Sequence, residues 1–128
     1  LQSILSSHDI VLLCKLGELF NLYPAADIFF LGGTFVPVGG HNLLEPAAWG
    51  TPSIVGPHHQ NCDDIIATLK PLNGIITVLN QEELLQQTQT LLNDDTFRHQ
   101  IGAQSKNWVE QEAKHVQREL DPVIKRIG

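Results

Sequence analysis

The chain has 128 residues, 42% of them hydrophobic, which suits one folded domain with a modest core and not a disordered segment. Eight basic residues against 14 acidic ones give a formal charge of −6, without the basic footprint of a general nucleic-acid binder. No apolar run approaches the roughly 18 residues needed to cross a bilayer, and two cysteines are too few for a disulfide scaffold, so a reducing compartment is expected.

The sequence contains no methionine, so residue 1 is not expected to be a translation start, and the chain reads as part of a longer polypeptide. The opening LQSILSSHD lacks the basic region of a signal peptide. Residues 10–14 (IVLLC) form a short continuous apolar run that suits a strand buried on both faces. Residues 15–26 carry Leu16, Leu19, Phe20 and Tyr23 at helical spacing, with Pro24 as a stop. Residues 28–31 predict a second buried strand, running into Gly32-Gly33.

A glycine- and proline-rich loop follows, over residues 32–40. Asn42 can cap a helix through Glu45, Ala48 and Trp49, with Gly50 as its end and Pro46 tolerated near the first turn. Residues 53–55 predict a third strand, Asn61 or Asp63 a helix start running to Leu69, and residues 75–78 a fourth strand after the Asn73-Gly74 turn. From Gln81 onward the pattern is helical. Residues 82–92 form one helix, and Asp94-Asp95 caps another that runs to about Leu120, where Asp121-Pro122 is expected to break it. The polar stretch 81–89 reads as a solvated helix face. The alternation βαβαβαβα argues for a parallel α/β layer, whose ligands bind where loops leave the carboxyl ends of the strands.

Four glycines among residues 32–40 let the backbone approach a ligand closely, and the next helix start offers N–H groups that favour a phosphate. The pattern matches neither the P-loop nor the dinucleotide fingerprint. Glu45 has two readings. It can accept both hydroxyls of a ribose, or fold back to the Asn42 N–H as a capping box. His58, His59 and Cys62, with His41 and Asp63 in range, suit a metal, a ligand contact or plain loop structure. Gly17-Glu18-Leu19 can place N–H groups at the same rim or form an ordinary strand-to-helix turn. Asp27 reads as a helix stop and Trp49 as core.

The segments Gly17-Glu18-Leu19, Ala25-Ala26-Asp27, Gly32-Gly33-Thr34, Val36-Pro37-Val38-Gly39-Gly40-His41-Asn42, Leu44-Glu45-Pro46-Ala47-Ala48-Trp49-Gly50 and Gly56-Pro57-His58 occur in this order. Together they resemble the C-terminal domain of the bacterial Kdo (3-deoxy-D-manno-octulosonic acid) transferases, over roughly residues 12–78. Departures are Cys14-Lys15-Leu16 for a G-D-T-type stretch, Leu43 for a proline, and Thr34 for a serine. The resemblance implies a partial Rossmann-like parallel sheet, the C-terminal half of a GT-B glycosyltransferase, without its first strands or the N-terminal acceptor domain. It implies transfer of Kdo from CMP-Kdo to lipid A precursor in lipopolysaccharide assembly, at the cytoplasmic face of the bacterial inner membrane, with no cofactor and no metal. On that resemblance Glu45 binds the ribose hydroxyls, Gly39, Gly40, His41 and Asn42 surround the phosphate, and Gly17, Glu18 and Leu19 close the nucleotide pocket. The general base belongs to the absent half, so the chain alone is expected to be inactive. In the strand order 3-2-1-4-5-6 the absent strands separate residues 10–14 from residues 28–31, so re-pairing, swapping or dimerisation is expected. A GT-B enzyme using a UDP-sugar, or a non-catalytic nucleotide- or partner-binding module, are the other classes the sequence leaves open.

Overall fold

The structure, a computed structural model, describes residues 23–32, 43–59 and 62–127, with side chains as far as residue 119. The expected strand at 10–14, and the part of the expected helix before residue 23, lie outside the described residues.

A 3-10 turn, Tyr23–Ala25, leads into strand β1, Phe29–Leu31. Helix α1, Leu44–Ala48, returns the chain to strand β2, Ser53–Val55. Helix α2, Asp63–Leu69, connects to strand β3, Ile76–Thr77. Helices α3, Gln81–Asn93, and α4, Asp95–Ile127, follow. The described strands form one parallel sheet in the order β1-β2-β3, with Leu31 beside Val55 and Val55 beside Thr77. Parallel neighbours need a crossover, and α1 and α2 supply the two crossovers.

β2 is the central strand and all three of its residues are buried. Its side chains alternate between two apolar layers. Val55 packs with Leu43, Cys62, Ile66, Leu69 and Ile75, while Ile54 packs with Val78, Leu91 and Ile101. β1 and β3 are less buried, with Phe30 exposed on β1 at the edge of the described sheet. Each fully buried aliphatic side chain stabilises the fold by about 1.5–3 kcal/mol.

Local signals set the helix ends. At α1 the Gly50 N–H donates to Ala47 O (3.0 Å) and the Thr51 N–H to Pro46 O (2.9 Å), with Gly50 at φ +72°, a left-handed stop that needs glycine. Pro46 is buried in the first turn, where an N–H would have no intrahelical partner. The cap of α1 falls on Leu43, without a side-chain hydrogen bond, and Asn42 lies outside the described residues. At α3, Asn80 Oδ1 accepts from the Glu83 N–H (2.8 Å) and Glu83 Oε2 accepts from the Leu79 N–H (2.6 Å), a capping box displaced by one residue. Asp94 ends α3 through its own N–H to Thr90 O, and starts α4 by accepting the Phe97 N–H at Oδ1 (2.9 Å).

Two expectations are corrected. The helix does not stop at Asp121-Pro122 but runs on to Ile127. Pro122 removes one N–H from the ladder, a local loss that helical turns on both sides can carry as a bend and not a stop. Trp49 is not core but 42% exposed, because it sits at the last turn of a five-residue helix where the chain reverses at the surface.

α4 passes beneath the amino ends of β2 and β3. A Cβ at Gly102 would collide with the Gly50 carbonyl oxygen and lie 3.5 Å from Pro52 Cδ, and a Cβ at Gly74 would meet Ser105 N at 3.3 Å. Glycine at these contacts lets the helix lie against the backbone of both turns. Buried Ser105 donates to Gly102 O (3.0 Å), so this contact leaves no hydroxyl unpaired. The helix closes the amino end of the sheet and leaves the carboxyl end to the loops.

Candidate functional site at the carboxyl edge of the sheet

α1 runs antiparallel to the strands. Its last turn leads through Pro52, whose carbonyl accepts the Phe29 N–H at 2.8 Å, into the amino end of β2. Its first turn therefore lies at the carboxyl end, where buried Leu43 packs against Val55, the last residue of β2. Glu45 occupies that first turn. Of the residues singled out in the sequence for donor binding, only Glu45 is described; Gly17, Glu18, Leu19, Gly39, Gly40, His41 and Asn42 lie outside the described residues.

Glu45 has a neighbour that spacing did not reveal. The Tyr23 hydroxyl lies within reach of the Glu45 carboxylate, whose charge acts on it. Tyr23 is 4% exposed, its carbonyl accepts from Thr51 Oγ1 (2.7 Å), and its ring meets Phe29 edge-on at 5.2 Å and 82°. The phenol thus lies alongside α1 and reaches Glu45 from the amino side. Burial first, then the Glu45 charge, push the Tyr23 hydroxyl above its ordinary value of 10.0. A carboxylate near one neutral donor keeps acceptor capacity for a ligand, since two oxygens offer several lone pairs.

The segment after β2 supplies the second polar group of the edge. His59 Nδ1 lies 2.6 Å from Asp63 Oδ1, in the first turn of α2. Cys62 faces the apolar cluster and is buried; burial, then the Asp63 charge, push its thiol up, so it is a poor thiolate ligand. Among the described residues no group of three or more His, Cys, Asp or Glu side chains could hold a metal ion, so the metal reading of His58, His59 and Cys62 finds no support there.

A different pocket of about 180 Å³ opens near the amino ends of the strands, between Asp27, Trp49, Thr51, Arg98 and His99. Its guanidinium is already committed, with Arg98 Nη1 donating to Leu91 O (2.8 Å) and Nη2 paired with Asp95 (2.8 Å). That is a helix-end clamp, on the opposite end of the sheet from Glu45.

Residues 5–108 match the family described as glycosyl transferases group 1. The chain belongs to that family. It is 36% identical over 109 residues to the 3-deoxy-D-manno-octulosonic acid transferase of Chlamydia muridarum, covering 84% of this chain and 25% of that protein. The transferase of the same description from Bordetella pertussis is 32% identical over 120 residues, 94% of this chain and 28% of that protein. Among solved structures, the C-terminal CMP-Kdo binding domain of WaaA from Acinetobacter baumannii superimposes with a TM-score of 0.69 at 28% identity, over 76% of this chain and half of that one. The chain thus spans about a quarter of the length of these curated relatives. The family match and the superposition agree with the GT-B-like α/β architecture expected from the sequence. The matched region extends past residue 78 into α4, further than the motifs alone indicated.

Proposed function

We propose that this chain is the donor-binding part of a transferase that moves Kdo from CMP-Kdo onto lipid A precursor. The observation that carries this reading is Glu45, placed in the first turn of α1 at the carboxyl edge of the sheet, in a chain similar to a CMP-Kdo binding domain. In this reading Glu45 accepts the two ribose hydroxyls, Gly39, Gly40, His41 and Asn42 surround the phosphate, and Gly17, Glu18 and Leu19 close the nucleotide pocket. As the sugar departs in an oxocarbenium-like state, negative charge grows on the CMP phosphate, and backbone N–H groups of the glycine-rich loop aimed at it lower the barrier by electrostatic stabilisation. The base that takes the acceptor proton lies in the acceptor domain, in the part of the relatives that this chain does not cover. The reaction then takes place at the cytoplasmic face of a bacterial inner membrane. The 128-residue chain by itself binds donor without turning it over, and pairs or swaps through its sheet edges.

Competition binding tests the nucleotide. CMP displaces a labelled CMP-sugar at least tenfold better than UMP or UDP; a preference for UDP would replace this reading with a UDP-sugar enzyme, and no binding of any nucleotide would leave a non-catalytic module.

A further inference from the structure

The carboxyl edge holds a polar pair that the donor reading above does not use. β2 ends at Val55 and the chain leaves through Gly56 and Pro57 to His58 and His59. The Cys62 N–H donates to His59 O (2.8 Å), which closes a tight turn and sets the imidazole against Asp63 at 2.6 Å. The His59 side chain is 29% exposed, so a ligand can reach the ring. Asp63 accepts the Nδ1 proton, and Nε2 is the nitrogen left to engage another partner.

The elements that carry this pair and Glu45 share one apolar cluster. Leu43, just ahead of Glu45, and Cys62, just ahead of Asp63, are buried in one cluster with Val55. The strands add a second tie, because Leu31 and Val55 are register partners and the chain departs from both toward the same end. The first turn of α1, with Glu45, and the segment after β2, with His59, thus lie at the same end of the sheet. The charged and titratable groups nearest in the chain to the ring are Asp63, which it meets, Asp64 on α2 and the neighbouring His58, with Glu45 on the first turn of α1 at the same end of the sheet.

We infer that the His59–Asp63 pair is a second wall of the donor site, with His59 Nε2 donating to the phosphate of the bound nucleotide while Glu45 takes the ribose. With Nδ1–H given to Asp63, a ring that donates from Nε2 is the imidazolium, and Asp63 is its counter-charge. The contact is then a charge-assisted hydrogen bond, stronger than a neutral one. Asp63 acts through His59 and is a positioning residue. The inference rests on the donor-site reading but is separable from it.

The test compares CMP with cytidine, which lacks the phosphate, by titration calorimetry on the wild-type protein, His59→Gln and Asp63→Asn. His59→Gln should weaken CMP about tenfold and leave cytidine unchanged, the expected worth of one charge-assisted hydrogen bond. Asp63→Asn keeps an acceptor for Nδ1 but removes the counter-charge, and should weaken CMP severalfold with cytidine again unchanged. Unaltered CMP affinity in His59→Gln overturns the inference, as does a parallel loss of CMP and cytidine, which marks a structural role. Wild-type protein that binds neither nucleotide contradicts the donor-site reading itself, and this inference with it.

Discussion

The two ends of the sheet are built for opposite purposes. At the amino end, α4 lies so close to the turns before β2 and β3 that Gly102 has no room for a side chain. At the carboxyl end, Glu45 and the His59–Asp63 pair are partly exposed beside the exposed leucines Leu44 and Leu79. One end is closed by the packing of α4 at Gly102 and Gly74, while the other places Glu45, His59 and Asp63 at its loops. Substitutions at the first should change stability without changing specificity, and substitutions at the second should do the reverse.

The largest expected effect is at the amino end. Gly102→Ala gains about 1 kcal/mol of helix propensity, yet it drives a methyl into the Gly50 carbonyl and should cost about 3 kcal/mol net. Chemical denaturation measures it; an unchanged midpoint would show that α4 can slide away, and would break the contrast. Next come two glutamates with the same spacing from an asparagine. Glu45→Gln, which keeps an acceptor for Tyr23, should weaken CMP about tenfold, near 1.4 kcal/mol, with little change in melting temperature. Glu83→Ala should lower stability by about 0.5–1 kcal/mol and leave CMP affinity alone, because Glu83 only receives the Leu79 N–H. Calorimetry and thermal melts on the two variants separate a ligand contact from a helix cap.

The smallest effect sharpens the Glu45 end. Tyr23 is the sole tyrosine, so alkaline absorbance titration reads it alone. Its midpoint should lie above 10.0, and Glu45→Gln should lower it by removing the charge. The sign for stability follows from linkage. The folded phenol holds its proton more tightly than the unfolded one, so its contribution is full below the ordinary value and is lost as pH rises through the folded value. A midpoint that does not respond to Glu45→Gln would mean that burial alone sets it.

The pairing of Asn42 with Glu45, and of Asn80 with Glu83, shows where sequence reading succeeds. Both have the spacing of a capping box; the second closes as one, while Asn42 of the first lies outside the described residues. Spacing encodes what a helix can do locally, but it cannot show that Tyr23, far away in sequence, is brought within reach of the Glu45 charge by the turn before β1. The strands at 28–31, 53–55 and 75–78 were legible as short, predominantly apolar runs bounded by turns, though only β2 is buried on both faces. Asp94 was legible as a cap because its chemistry is local. Trp49 was misjudged because an aromatic residue on a helix is usually buried, and only the five-residue length of α1 puts it at a surface turn. Pro122 was misjudged because a helix-breaking residue says nothing about the turns around it. Gly102 reads as a weak helix position until the Gly50 turn is placed against it.

The central claim is that Glu45 grips the ribose of a cytidine nucleotide. A double cycle tests it most directly: affinities of CMP and 2′,3′-dideoxy-CMP for the wild-type protein and for Glu45→Gln. The account predicts that the wild type prefers CMP about tenfold and that Glu45→Gln loses this preference. The same preference in both proteins would contradict it, and would leave the Glu45 carboxylate as no more than the neighbour of Tyr23.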